Sequence, residues 1–219
     1  MKDRYSIAVG LLFVVLIVFV TIQTLGGEDG GGTLGLDDQE PRWPLPAFAV
    51  PEVSAKLEGD ANVAQDDCAS SAVPCPEDAR RTPACEIQTP GALRVCDLFD
   101  RPLVISFWFT KGGNCITQQD VVQTVSQRYG GRVNFLSLDI RDDRDEVREL
   151  VREHGWTIPV GYDRDGAVAG LYRVGGCPTF AYAFPGGTLQ SASIGDLTEA
   201  ELSERVDELL AATREEQKG

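Results

Sequence analysis

The chain of 219 residues has an apolar share of 42%, a formal net charge of -14 and a sequence pI near 4.4. It can supply one sizeable core, and its acidity excludes nucleic acid and anionic lipid surfaces as docking partners, because both are themselves negative. Six cysteines accompany a single histidine and a single methionine, an even count that suits a disulfide framework in an oxidising compartment.

Ser6 to Ile22 (SIAVGLLFVVLIVFVTI) runs without a charge. As a helix rising about 1.5 Å per residue it approaches the roughly 30 Å bilayer core. Lys2 and Arg4 precede it and Glu28 and Asp29 follow, a basic bias that places the N-terminus in the cytoplasm and everything after Gly26 outside. A cleaved signal peptide is the competing reading, but Leu25-Gly26-Gly27 is a poor cleavage site and the apolar run exceeds a typical signal core. The expected organisation is a cytoplasmic tip and single-pass cell-membrane anchor over 1–25 and a flexible linker over 26–46. A folded domain over 47–213 and a tail over 214–219 complete it. The linker is rich in Gly, Asp and Pro and has too little apolar surface to offset its ordering.

Ala47 to Lys56 reads as a strand that its prolines confine to an edge. Asn62 to Pro83 has neither helical nor strand periodicity and holds Cys68 and Cys75, candidates for a local staple. It forms the middle of a cysteine-containing insertion over 57–92. Cys85 to Cys96 (CEIQTPGALRVC) reads as two short strands about a Thr-Pro-Gly turn, a hairpin that would bring Cys85 to Cys96.

Leu103 to Phe109 is continuously apolar and aromatic, as a buried central strand would be. Thr117 to Tyr129 follows as a helix with Val121, Val122 and Val125 on one face. Arg132 to Ile140 is the next strand, and Asp143 to Glu153 a charged amphipathic helix with Val147, Leu150 and Val151 facing the core. Together these make a right-handed parallel crossover. Ile158 to Tyr172 is a connector leading into a short helix, and FAYAFPGGTLQSASIG a hairpin about Pro185-Gly186-Gly187. Leu197 to Ala212 closes the chain as a helix, with Thr198 and Glu201 forming a capping box.

Pro102 to Cys115 (PLVISFWFTKGGNC), with Gly175 to Phe180 (GGCPTF), resembles the thioredoxin-like redoxin family of the TlpA and AhpC/TSA type. In that family an apolar strand ends in Phe-Trp-x-x-W-C-x-x-C and opens the first active-site helix. Phe107-Trp108 fits, and Cys115 falls on the second cysteine. Gly112 stands where the attacking cysteine would be, and Lys111 replaces the tryptophan before it. GGCPTF fits the cis-proline element, with Pro178 as the cis residue. The similarity covers roughly 93–212, with a weaker match at 44–53. It implies an α/β thioredoxin fold, a central mixed sheet flanked by helices, in the order β-α-β-α-(cis-Pro)-β-β-α.

In such proteins the helix N-terminus favours thiolate, the first cysteine attacks a substrate disulfide, and the second, more buried sulfur resolves the mixed disulfide. With Gly112 in the first place, that exchange cannot run within the motif. The resemblance implies a replacement: Cys177, just before Pro178, occupies a position lying against the active-site cysteines. Cys115 and Cys177 are therefore the catalytic candidates for thiol-disulfide exchange. Gly176, Pro178, Trp108 and Lys111 are candidates for binding substrate or favouring a nearby thiolate.

Three alternatives stay open. Peroxiredoxins share the fold and keep their reactive cysteine where Cys115 stands, but Trp108 and Gly112 occupy the Pro and Thr places of their motif. A redox-inactive thioredoxin-fold scaffold would use a Cys115–Cys177 bond only as a staple. Paired thiolates can hold a soft metal such as Cu(I), but His154 and Met1 offer few further ligands, so no metal or cofactor is expected. His154, near a helix end, is assigned no role. The implied partners are extracytoplasmic protein thiols and disulfides and a membrane or soluble redox partner.

Overall fold

The computed structural model describes residues 42–57 and 82–218. The expected anchor, most of the linker, and Cys68 with Cys75 lie outside the described residues. No helix among the described residues is long and apolar enough to cross a membrane.

In chain order the elements are β1 (Ala49–Pro51), β2 (Ala92–Arg94), β3 (Leu103–Trp108), α1 (Cys115–Tyr129), β4 (Asn134–Ile140) and α2 (Arg144–His154). They continue with β5 (Val160–Asp163), α3 (Ala167–Leu171), β6 (Thr179–Phe184), β7 (Thr188–Ile194) and α4 (Glu199–Glu216). Five strands form one mixed sheet in the order β5-β4-β3-β6-β7. The β3–β4 and β4–β5 pairs are parallel, and the β3–β6 and β6–β7 pairs antiparallel. All six residues of β3 are buried, as its unbroken apolar content requires of a strand covered on both faces.

The period of two divides β3 between two cores. Val104 and Trp108 pack with Cys115, Val122 and Val125 of α1 and with Leu202, Val206 and Leu209 of α4. Leu103, Ile105 and Phe107 face Phe48, Val50, Val95 and Tyr172 on the other side. Asp143 caps α2 by accepting the N–H groups of Asp145 and Glu146, and Gly155 ends it in the left-handed conformation, the preferred chemistry at each end. Thr198 and Glu201 form the expected capping box of α4.

Four details differ from the sequence expectations. Cys85 to Cys96 is not a two-stranded hairpin: 84–86 and 95–98 are 3-10 turns, and β2 takes its ladder from β1. Arg94 donates to the carbonyls of Cys85 and Ile87, satisfying groups that a hairpin ladder would have used. Second, 160–163, expected as connector, is an edge strand whose residues pair with Ser137 to Ile140. Third, the end of the expected linker is hydrogen-bonded to the β6–β7 hairpin: Arg42 N–H donates to Leu189, Leu45 N–H donates to Gly187, and Leu189 N–H donates to Trp43. Fourth, α4 runs to Glu216, into the expected tail, and Arg42 pairs with that residue at 2.8 Å.

Candidate active site

The sheet delivers two loops to the C-terminal end of β3: the segment 109–114 leading into α1, and the segment 175–178 leading into β6. Cys115 is the first residue of α1 and 1% exposed. Cys177 is half-buried, and the Cys177–Pro178 peptide bond is cis. A disulfide joins Cys115 to Cys177, with their Cα atoms 6.0 Å apart across 62 residues of sequence. A second disulfide joins Cys85 to Cys96.

The loop before Cys115 depends on glycine. Gly112 has φ 134° and Gly113 φ 59°, and a Cβ on Gly112 would lie 3.3 Å from the Phe109 ring. An L-residue at 112 is therefore strained in this backbone. The path of this loop therefore suits glycine rather than a cysteine at position 112.

The start of α1 is open to negative charge. Asn114 does not cap the helix with its side chain, which donates instead to Asp196 at 3.1 Å, and the first turn holds no acidic residue. A sulfur at Cys115 faces the positive end of the helix dipole, which favours thiolate there. Its Sγ also lies 3.0 Å from the Gly112 carbonyl oxygen, an acceptor for the thiol proton once the bond is reduced. Gln118, one turn on, is tied to Leu197 in both directions, donating to its carbonyl at 3.1 Å and accepting its N–H at 2.8 Å. That fixes α1 against the segment following β7.

The cis-proline loop is tied just as closely. Thr179 Oγ1 donates to the Gly176 carbonyl at 2.7 Å, and Gly195 N–H donates to the Pro178 carbonyl at 2.9 Å. The carbonyls of Gly176 and Pro178, two candidate substrate-binding residues, thus already serve the loop. Beside Gly176 stands Ile194, 44% exposed, an apolar neighbour of the cis-proline loop that its place at the end of a half-polar strand did not single out.

Trp108 is fully buried, not a surface for substrate. Its indole N–H donates to Ser137 Oγ at 2.7 Å and its ring meets Trp156 edge-on at 5.4 Å. Ser137 Oγ donates to Gln119 Oε1 and Gln119 Nε2 to Ser106 Oγ, each at 2.9 Å, so a closed polar chain lies under α1 behind Cys115. Lys111 is exposed on the loop. His154 is exposed and engages Asp120, which also accepts the Trp156 indole N–H.

No family model matches the chain. It is 25% identical over 109 residues to the thiol-disulfide oxidoreductase ResA of Oceanobacillus iheyensis, covering 49% of this chain and 57% of that protein. The chain therefore spans just over half the length of that relative. Among solved structures, MTB DsbF aligns with 25% identity and a TM-score of 0.50 over 54% of this chain and 87% of that one. A DsbF homologue from Corynebacterium diphtheriae aligns at 16% identity and a TM-score of 0.58, over 83% of this chain and 96% of that one. A thioredoxin-family thiol:disulfide interchange protein from Chlorobium tepidum aligns at 16% identity and 0.55, over 79% and 99%. The chain has the thioredoxin fold. Its likeness is to the thioredoxin-like disulfide oxidoreductases, and its disulfide joins Cys115 at the start of α1 to Cys177 beside the cis-proline.

Proposed function

We propose that this protein is a membrane-anchored, extracytoplasmic thiol-disulfide oxidoreductase whose working pair is Cys115 and Cys177. The observation that carries the reading is the bond between the first residue of α1 and the residue before the cis-proline. It gives the chain a reducible pair despite Gly112, and similarity to ResA gives the chemistry a precedent.

The environments of the two sulfurs support different roles for them. Cys177 is half-buried and Cys115 almost wholly so, and exchange requires access along the S–S axis. An incoming protein thiolate attacks Cys177 Sγ; the Cys115–Cys177 bond breaks as the mixed disulfide forms, and Cys115 leaves as a thiolate at the helix start. The partner's second thiolate then attacks the mixed disulfide, releasing an oxidised partner and reduced Cys177. One disulfide passes to the partner, two electrons pass to the pair, and the two thiolates take up protons. In the reducing direction Cys177 is the nucleophile and Cys115 resolves. Relative to the family's usual order, the exposed role moves to the cis-proline loop while the buried role stays on α1. Peroxide reduction would instead need an exposed thiolate at Cys115, which is 1% exposed.

Mixed-disulfide trapping tests this. Cys115→Ser leaves the half-buried Cys177, the more accessible of the two, without its resolving partner, so it accumulates a mixed disulfide with a model protein disulfide. Cys177→Ser leaves only the buried thiol and accumulates none. Trapping through Cys115 alone, or through neither, contradicts the reading.

A further inference from the structure

The segment 195–197 has no slack. Strand β7 ends at Ile194, whose partner across the ladder is Thr179, and Thr198 begins the capping box of α4. Between those fixed ends each of the three residues bonds to one half of the redox pair. Gly195 N–H donates to the Pro178 carbonyl at 2.9 Å, next to Cys177. Asp196 accepts the Asn114 amide at 3.1 Å, next to Cys115. Leu197 gives its N–H to Gln118 Oε1 at 2.8 Å and accepts Gln118 Nε2 at 3.1 Å. Gln118 is 3% exposed and stands three residues after Cys115, on the same side of α1. Leu197 and Cys177 both pack against the core cluster that contains Cys115.

These bonds close a ring with the disulfide as its last link. When the bond is reduced, the only covalent path between the sulfurs is 62 residues long, but the segment 195–197 still holds the cis-proline loop to the start of α1. We propose that this segment is a splint for the reduced pair, and that Gln118 is the positioning residue that sets how readily Cys115 and Cys177 close. Gln118 acts through Leu197. The inference deepens the oxidoreductase reading and rests on it.

The physical argument concerns a difference between two redox states. In the oxidised protein the disulfide holds the two loops together whether or not Gln118 is present. In the reduced protein only the splint does so, and the effective concentration of one thiol at the other depends on that hold. Removing it frees the reduced state and favours reduction. Gln123 supplies a matched control, being also on α1, 7% exposed and bonded in the same manner. Its Oε1 accepts the N–H groups of Thr157 and Ile158 at 2.7 and 3.2 Å, and its Nε2 donates to Thr157 Oγ1 at 2.9 Å. Those bonds tie α1 to the start of β5 and not to the cis-proline loop.

The test equilibrates the protein with glutathione buffers, then acid-quenches, alkylates and reads each cysteine by mass spectrometry. Two glutathione thiols reduce the pair: the Cys115–Cys177 bond breaks, glutathione disulfide forms, and two protons pass to the protein sulfurs. Gln118→Met should lower the equilibrium constant for closing the bond about fivefold, the size of one net hydrogen bond, which is a rise of about 20 mV in potential. Gln123→Met should stay within about twofold of wild type while lowering the denaturant midpoint of the oxidised protein as much as Gln118→Met does. Hydrogen exchange on the wild type supplies a readout that no variant's folding can obscure: the Gly195 and Leu197 amides should keep their protection within about threefold on reduction. A Gln118→Met constant within twofold of wild type, an equal shift in Gln123→Met, or loss of that protection on reduction overturns the splint. None of these readouts needs a protein substrate. Failure to exchange with protein thiols, beside an intact Gln118 effect, would strike the oxidoreductase reading alone.

Discussion

The two disulfides of the described domain look alike in sequence and differ in setting. Cys85–Cys96 spans 11 residues and joins two 3-10 turns beside β2, with Cys85 exposed. Cys115–Cys177 spans 62 residues and joins a fifteen-residue helix to a cis-proline loop, with one sulfur buried. Exposure alone would select the first pair for chemistry. Leaving-group stabilisation selects the second, because only Cys115 sits at the positive end of a long helix. Chain entropy adds a contrast: closing the loops stabilises the fold by about 3 kcal/mol for the short one and about 4 for the long one. A redox role for Cys115–Cys177 therefore means that the protein gives up substantial stability each time the pair is reduced, and the rest of the core must tolerate it.

The largest expected effect separates the pairs by activity. Cys177→Ser should lower thiol-disulfide exchange by on the order of a thousandfold, as removing a nucleophile does, whereas Cys85→Ser with Cys96→Ser should leave the rate at wild type. Equal losses would erase the distinction. In denaturant unfolding under oxidising conditions, the Cys85→Ser, Cys96→Ser double variant should lose about 3 kcal/mol; unchanged stability would make that bond dispensable. A third variant asks whether the α1 motif can recover the missing sulfur. Gly112→Cys should cost about 2 kcal/mol from its left-handed backbone and leave exchange dependent on Cys177; exchange that survives loss of Cys177 in this background would show that the loop can adopt the two-cysteine form.

Per pH unit, the smallest effect is a pH slope. Asp139 has a folded-state pKa raised from 3.8 to about 9, so between those values the native protein holds one proton more than the unfolded chain. Stability contributed by this group is complete below about pH 4 and falls as pH rises, by about 1.4 kcal/mol per pH unit, until about pH 9. Asp139→Asn should remove that slope in thermal or denaturant unfolding, and an unchanged slope would assign it to other groups.

The strand-helix order was legible because each element carries its own period or cap: the unbroken LVISFW, the Val stripe of α1, and Thr198 with Glu201. The proline of GGCPTF and the sulfur before it were legible through the family resemblance. The hairpin at 85–96 was misread because local turn chemistry cannot reveal that β1, more than forty residues upstream of β2, supplies the ladder. Strand β5 was hidden in VGYD because an edge strand of four residues shows no usable alternation. Trp108 was placed near substrate because the sequence does not say on which side of a two-faced strand a pocket opens. Asp139 left a signal that went unused: one acid inside FLSLDI, at a position the strand period turns inward. The hold of Asp142 on Thr110 required the fold.

Graded reduction tests the central claim most directly. The folded protein is equilibrated across a series of dithiol redox buffers, acid-quenched and alkylated, and each cysteine is read by mass spectrometry. Cys115–Cys177 should open while the protein is native, at a potential above the roughly -300 mV typical of structural bonds, with Cys85–Cys96 still closed. If Cys115–Cys177 opens only below that potential, together with Cys85–Cys96 or with unfolding, it is a staple and the account is wrong.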